Sequence, residues 1–211
     1  KDDPRFKVID IDFMKSNGVC WARNLLQQQY AGEDYTLQLD SHHRFVQGWD
    51  EYLIDTHNLL KRKGFKKPLI TGYIPGYDPI TETYINPNEV WTLAFNRFSP
   101  EGMIHLNPNT EPNPENIYMP IRARLYSAHF AFAAGEFVKE VPHDPNMFFH
   151  GEEPSIAVRA WTHGYDLFHP HRCYVYHYYE RPGYRRHWDD QAHRHKELND
   201  RAHDRFRRLL G

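Results

Sequence analysis

The sequence predicts an α/β domain, and its first forty residues carry the prediction. Residues 35–40 alternate apolar and polar side chains, the two-residue period of a half-buried strand. Residues 20–31 place apolar side chains at helical spacing and are followed by Gly32, a common helix stop. Residues 6–12 also have the pattern of a strand. A strand, a helix and a second strand in this order imply parallel strands joined by a right-handed crossover.

The rest of the chain continues this mixture of elements. Helices are predicted over residues 50–63, from Pro154 to a stop at Gly164, and over residues 189–210, with a short helix or turn at 136–141. Further strands are predicted over residues 69–73, 90–95, 127–135, 165–168 and 173–178. Two segments rich in Pro and Asn are predicted as surface loops that cover or shape a binding site, residues 74–88 and 105–120.

The composition limits the classes of protein to consider. The 211 residues suit a single domain over 1–211 with a substantial core. The net charge of −2 gives no sign of a general nucleic-acid or membrane-surface binder. No transmembrane run is present. Two cysteines cannot form a disulfide framework, so we expect both to be buried thiols.

The first candidate site lies where the strand at residues 35–40 ends. Asp40 and His42 emerge together at its carboxyl end, the rim at which open α/β sheets bind ligands. A carboxylate and an imidazole two residues apart can hold one face of a divalent cation, and the cation can hold a diphosphate. A metallohydrolase is a rival interpretation, but the sequence has no H-E-x-x-H or comparable set of ligands.

Six motifs in order along the chain indicate a family. They are WAR at residues 21–23, GEDYTLQLDSH at 32–42, RFVQGWD at 44–50, FAAGEF at 132–137, FFHGEE at 148–153 and WTHGYDLF at 161–168. Together they resemble the Skp1-type polypeptide N-acetylglucosaminyltransferases. That family consists of retaining enzymes with a GT-A fold, a Rossmann-type mixed sheet flanked by helices, and their donor is UDP-GlcNAc. The resemblance covers nearly the whole chain.

The resemblance implies a metal site and its ligands. Asp40 and His42 match the family's metal motif, and His177 matches a histidine that a late strand supplies as third ligand. One carboxylate and two imidazoles leave open positions for phosphate oxygens and water, as octahedral Mn²⁺ requires. Imidazole also suits zinc, so Mn²⁺ is implied by the family alone. His43 is expected to point away from the ion.

Further roles follow from the same resemblance. Glu152, besides Asp40, is the predicted catalytic residue, and it would hold sugar hydroxyls or the acceptor while the departing phosphate takes the acceptor proton. Arg23 and Arg181 are predicted to bind the diphosphate of the donor, although Arg23 could instead be solvated. The predicted substrate-binding residues are Gly135, Glu152, Glu153 and Trp161. Tight packing at Gly135, helix capping by Glu153 and core packing by Trp161 are the alternatives.

The resemblance also sets expectations for the whole protein. In the family a strand and helix that help to bind uridine precede the segment matched by Phe6. We therefore expect either an N-terminally truncated fragment without this first β-α unit or another mode of base recognition. The expected partners are a nucleotide-sugar and a protein or glycan acceptor bearing hydroxyproline, Ser or Thr, in the cytoplasm. The alternative function is a catalytically degenerate carbohydrate-binding module built on a GT-A core.

Overall fold

A computed structural model describes residues 3–180, 182–190 and 192–211. Its helices are α1 (Val19–Gln27), α2 (Trp49–Arg62), α3 (Phe137–Glu140), α4 (Glu152–Thr162), α5 (His187–Asp190) and α6 (His195–Leu210). Its first strands are β1 (Tyr35–Leu39), β2 (His43–Phe45), β3 (Pro68–Thr71), β4 (Gly76–Asp78), β5 (Thr83–Ile85) and β6 (Trp91–Phe98). The later strands are β7 (Ile104–Thr110), β8 (Ile121–Arg122), β9 (Phe130–Ala134), β10 (Asp166–His169) and β11 (Val175–His177). The predicted α/β class is confirmed.

The main sheet has the strand order β1-β9-β3-β10-β8. Strands β3 and β10 run parallel, whereas β1 and β3 both pair antiparallel with β9. The predicted parallel β-α-β unit over residues 6–40 is therefore wrong. Residues 6–12 form no strand, and Phe6 and Val8 are exposed by 76% and 86%. Alternation identifies a segment that can pair but does not identify its partner, and here β1 pairs with a strand almost a hundred residues later.

A second sheet has the order β2-β11-β4-β5, and β6 and β7 form a separate hairpin. The predicted loops at residues 74–88 and 105–120 are therefore wrong in part, because they contain the hairpin β4-β5 and most of β7. Pro108 within β7 pairs with Leu93, so this proline occupies a position in a two-stranded ribbon. Such an edge strand tolerates a residue without an N–H group.

Helices cover both faces of the main sheet. Successive residues of a strand point to opposite faces, so Leu69 and Ile70 of β3 enter two different cores. Leu69 packs in a cluster with Ile156 of α4, and Ile70 packs in a cluster with Leu53 of α2. All four side chains are fully buried. The sheet is thus held between α2 and α4, which is the mixed sheet flanked by helices that the sequence predicts.

Helix α6 closes a third, smaller core. Its Phe206 packs with Cys20 of α1 and with Met103 and Met147, and all four side chains are buried. The prediction of one helix over residues 189–210 needs correction, because α5 and α6 are separate helices. None of the helices in the described part of the chain has the length and apolar character needed to cross a bilayer.

Gly135 offers a test of the packing between β9 and the segment before β1. A Cβ atom at this position would lie 1.9 Å from the carbonyl oxygen of Glu33 and 2.7 Å from Cε2 of Tyr30. We expect Gly135→Ala to lower the free energy of unfolding by about 2 kcal/mol or more, because backbone must move to admit the methyl group. Urea unfolding followed by circular dichroism measures the change.

The matched control for this substitution is Gly76→Ala in β4. There the added Cβ would meet Ile85 at 3.5 Å, an ordinary contact. We expect a change within about 1 kcal/mol. Equal losses in the two variants would contradict the packing argument for Gly135.

Candidate active site

Two sheets meet where Asp40 and His42 lie. Strand β1 ends at Leu39 and β2 begins at His43, so the residues between them pass from one sheet to the other. Strand β11 pairs antiparallel with β2, and in this register His177 lies opposite His43. Pairing across the second sheet therefore brings His177 beside His42, although 135 positions separate them in the sequence. Their ring centroids are 4.5 Å apart.

The two oxygens of Asp40 have different neighbours. Oδ1 accepts a hydrogen bond from Nη2 of Arg23 at 2.6 Å. Oδ2 lies 3.6 Å from Nε2 of His42 and 3.6 Å from Nε2 of His177. One candidate ligand atom from each of the three residues lies within 4.8 Å of the others. Neither ring nitrogen of the buried His177 has a hydrogen-bond partner among the described residues. A divalent cation would supply the missing interaction.

The surroundings of Asp40 keep its carboxyl group ionised. Burial on its own would raise the pKa of Asp40, but the His177 imidazole and the Arg23 guanidinium oppose that effect. The net result is a pKa well below the ordinary value for aspartate. An ionised carboxylate is the form that binds a cation.

Arg23 joins the half-buried carboxylate of Asp40 to the buried carboxylate of Glu152. Its Nη1 donates to Oε1 of Glu152 at 2.5 Å, and its side chain is only 11% exposed. The same Oε1 lies 2.8 Å from Nε2 of His143, whose side chain is fully buried. Burial would raise the pKa of Glu152, but Arg23 and His143 outweigh it and lower the pKa. Glu152 is therefore an anion with one oxygen engaged by the protein.

Glu153 has the opposite electrostatic character. Its Oε1 accepts a hydrogen bond from the backbone N–H of Ala128 at 2.9 Å. Burial is the largest influence and raises the pKa of Glu153 to about 7, and the nearby charge of Glu152 acts in the same direction. Two adjacent glutamates at the start of α4 thus differ in protonation near neutral pH. Such divergence is common at functional sites.

These residues line a cavity of about 830 Å³. Arg23, Asp40, His42, Glu152, Glu153 and His177, all predicted from the sequence, contribute to its wall. The hairpin β6-β7 forms another part of the wall through Trp91, Leu106 and Pro108. Aromatic rings of Tyr73, Phe149 and Tyr179 add apolar surface of the kind that packs against sugar rings.

Two predicted site residues, Gly135 and Trp161, do not line this cavity. Gly135 follows β9 and packs against the backbone of Glu33, as the tight-packing alternative requires. Trp161 lies at the far end of α4 and is 66% exposed, so it neither lines the cavity nor packs in the core. Arg181 lies outside the described residues. Arg185, four residues later, does line the cavity and pairs with Asp190 at 2.8 Å.

Sequence reasoning missed two histidines that support the site. His129 of the segment before β9 is buried, and its ring lies 4.6 Å from that of His177. Its Nδ1 is 3.0 Å from Oγ of Ser127. His143 orients Glu152, as described above. The signal for both was weak, because a single histidine in an apolar stretch, such as His129, is usually a core residue and His143 lies in a short Pro-rich segment without a motif. His43 lies outside the ligand group, and its Nδ1 lies 2.9 Å from the Asp40 carbonyl oxygen.

The contrast between the two glutamates gives a pH-dependent prediction. Because the pKa of Glu153 is raised from 4.5 to about 7 in the folded state, the unfolded chain loses this proton first as pH rises. The contribution of Glu153 to stability therefore falls between pH 4.5 and about 7. We expect Glu153→Gln to gain stability relative to wild type from pH 4.5 to pH 8, by about 3 kcal/mol at most. Urea titrations of the variant and of wild type at both pH values, in EDTA, measure this difference in the free energy of unfolding.

Glu152→Gln is the isosteric control. Since the pKa of Glu152 is lowered, its carboxylate stabilises the fold above the unfolded pKa, and that contribution is lost as pH falls. We expect this variant to be less stable than wild type at pH 8, with a difference that shrinks towards pH 4. If both variants respond to pH with the same sign, the assigned protonation states are wrong.

Comparison with known proteins identifies the family. A family model described as Glycosyltransferase (GlcNAc) matches residues 3–211. No curated protein matches the sequence. Among solved structures, a crystal structure of GalNAc-T7 with UDP, GalNAc and Mn²⁺ aligns with a TM-score of 0.57 at 18% identity. The alignment covers 80% of this chain and only 32% of that chain, and it confirms the GT-A-like fold. The chain belongs to the GlcNAc glycosyltransferase family, as the resemblance in its motifs predicts.

Proposed function

We propose that this glycosyltransferase moves GlcNAc from UDP-GlcNAc to a hydroxyl group, with retention at the sugar carbon and with a divalent cation. The observation that carries the proposal is the arrangement of Asp40, His42 and His177. Asp40 Oδ2 faces both imidazole nitrogens at the wall of a cavity large enough for a nucleotide-sugar. The GalNAc-T7 structure contains UDP and Mn²⁺, which supports the same assignment for this site.

The donor set fits a first-row divalent cation. One carboxylate oxygen and two imidazole nitrogens would leave positions for two phosphate oxygens and water, which suits Mn²⁺. When bound, such a cation neutralises charge that develops on the leaving diphosphate. The protein keeps the carboxyl group of Asp40 ionised and holds it in one orientation. Arg23 does this by holding Oδ1, so that Oδ2 faces the two histidines.

Arg23 is better placed as a positioning residue than as a direct ligand of the diphosphate. Its Nη1 and Nη2 are already engaged by Glu152 and Asp40. Two carboxylates against one guanidinium leave a local excess of negative charge, which a divalent cation would compensate. The prediction that Arg181 binds the diphosphate also remains part of the proposal. Arg185, at the cavity wall, is a further cation near that position.

Glu152 is proposed to hold the sugar or the acceptor rather than to act as a nucleophile. Arg23 and His143 both contact Oε1. Neither of these contacts involves Oε2 of Glu152. We therefore propose that Oε2 accepts hydrogen bonds from hydroxyl groups. A carboxylate held this firmly suits recognition. Retention would then proceed by attack from the side of the departing phosphate, which takes the acceptor proton.

The acceptor is proposed to be a protein or glycan hydroxyl, with hydroxyproline, Ser or Thr as the candidates. The hairpin β6-β7 and the start of α4 form walls on two sides of the cavity. Phe95 and Phe98 of this hairpin are exposed by 52% and 63%, which offers an apolar surface beside the site. We place acceptor choice in this hairpin and in the segments at residues 74–88 and 105–120, as the sequence predicts for both segments.

Replacing Asp40 tests the metal assignment. Asp40→Asn keeps the volume of the side chain and an oxygen for Arg23 but removes the charge. We expect metal-dependent UDP-GlcNAc turnover to fall by ~100-fold or more. His177→Ala should cause a loss of similar size. Release of UDP with Mn²⁺ present is the measurement. The exposed Asp55 offers a matched control, and Asp55→Asn should retain wild-type activity.

These substitutions can also contradict the proposal. Circular dichroism establishes whether each variant folds. A folded Asp40→Asn protein that turns over UDP-GlcNAc at nearly the wild-type rate would show that the cation does not bind at Asp40.

The degenerate carbohydrate-binding module is distinguished by its ligands. We expect calorimetry to show binding of UDP in the presence of Mn²⁺, and a much weaker signal in EDTA, because the cation would bridge the protein and the diphosphate. Asp40→Asn should abolish the metal-dependent part of UDP binding. Binding of free glycan without any binding of UDP would instead establish the module as the function.

A further inference from the structure

A second large cavity lies on the other side of α1. It is an open groove of about 1160 Å³ between α6, α1 and residues 142–148. Five arginines line it, namely Arg159, Arg194, Arg201, Arg205 and Arg208, and the carboxylates in its wall are Asp144 and Asp204. Arginine and aspartate side chains therefore give the wall a net charge of +3. The protein as a whole has a net charge of −2, so this groove is a local reversal of sign.

Three of these guanidinium groups have no carboxylate partner among the described residues. Arg159 donates through Nη1 to the carbonyl oxygen of Pro142 at 2.6 Å, and its Nη2 is buried without a hydrogen-bond partner. Arg194 donates to the amide oxygen of Asn17 at 3.3 Å. Neither arrangement neutralises the charge. Arg208 is exposed at the last turn of α6. An anionic ligand would neutralise these groups.

The other two arginines form ion pairs. Arg201 has an exposed partner, and Arg205 has a partner in the wall of the groove. Arg205 contacts Asp144, and Arg201 contacts Glu197 one turn earlier on α6 at 2.6 Å. The side chains of Arg201 and Glu197 are exposed by 71% and 61%. Exposed pairs of this kind contribute little to stability, so an incoming carboxylate can exchange with Glu197.

The arginines of α6 form a stripe along the groove. Arg194, Arg201, Arg205 and Arg208 follow one another at intervals of seven, four and three residues, which places them on one face of the helix. Another face of the helix, with Ala202 and Phe206, is buried in the core. At 1.5 Å per residue the stripe is ~21 Å long. That length corresponds to roughly six or seven residues of extended polypeptide.

Apolar side chains alternate with the charges. Trp21 of α1, Phe148 and Leu198 of α6 also line the groove. Asp144 and Asp204 add hydrogen-bond acceptors, which suit backbone N–H groups and repel phosphates. A chain of small anions would use the arginines but not this apolar surface. The combination fits a peptide that carries both carboxylates and apolar residues.

We propose that the groove binds an extended, acidic segment of another polypeptide. Under the proposed function this segment belongs to the protein acceptor, but the binding itself requires no sugar transfer. The groove lies next to the active-site cavity, because α1 provides Trp21 to the groove and Arg23 to the cavity. Of two consecutive residues, Phe148 lines the groove and Phe149 lines the active-site cavity. A substrate held here would keep the rest of its chain near the catalytic site.

Fluorescence anisotropy tests the proposal directly. The probe is a fluorescein-labelled octapeptide of seven Glu and one central Trp, with a matched peptide in which Gln replaces Glu. We expect the Glu peptide to bind, to weaken steeply as NaCl rises, and to bind Arg194→Gln/Arg208→Gln about tenfold less tightly. The control Arg62→Gln/Arg124→Gln removes the same charge from exposed sites outside the groove and should bind like wild type.

Several results would overturn the proposal. These are equal binding of the Gln peptide, equal losses in the two double variants, or unchanged binding in the groove variant. Stronger binding of tripolyphosphate or of an oligothymidylate at the same arginines would assign the groove to small anions or nucleic acid instead. Arg208→Glu, a single exposed change, repeats the test if the double variant folds poorly. UDP binding with Mn²⁺, measured on the same samples, separates a failure here from a failure of the proposed function.

Discussion

One guanidinium group holds the active site together. Arg23 of α1 lies between Asp40, at the end of β1, and Glu152, at the start of α4, and it bonds to both. An ionised Asp40 and an ionised Glu152, one half-buried and one buried, need a nearby cation, because each loses hydration and the two carboxylates repel each other. The position of α1 against β1 and α4 is therefore a condition for the site, and not only a feature of the core.

The same contacts occupy one oxygen of each carboxylate and leave the other oxygen outside them. Arg23 takes Oδ1 of Asp40 and Oε1 of Glu152, and His143 shares the latter. The second oxygen of Asp40 is left facing two imidazoles. A site that is rigid before ligands arrive loses less free energy in reorganisation, which is the usual basis of electrostatic catalysis. Helix α1 also separates this site from the arginine groove, so one helix borders both surfaces.

The group of residues that could hold a cation was predictable because it follows a motif, whereas the contacts that support this group were not. Asp40 and His42 stand at the end of a clear strand, and His177 occupies the alternation of a second strand. The contact between Arg23 and Glu152 joins residues 129 positions apart, and no local pattern records such a contact. Gly135 lies in a matching motif, yet its role in the structure is to admit the Glu33 carbonyl group.

The sequence by itself determined the α/β class, the helices α2 and α4, the strand β1 and the residues that can hold a cation. The class, these elements and the pair Asp40 and His42 follow from periodicity, glycine stops and side-chain chemistry, which are local properties of the chain, whereas His177 follows from the resemblance in the motifs. Only the tertiary structure decided that β1 pairs antiparallel with β9, that the Pro-rich segments contain the hairpin β4-β5 and most of β7, and that α6 aligns its arginines over a groove. Strand pairing and charge clustering depend on contacts between distant segments, which are selected by the burial of the whole core rather than by neighbouring residues.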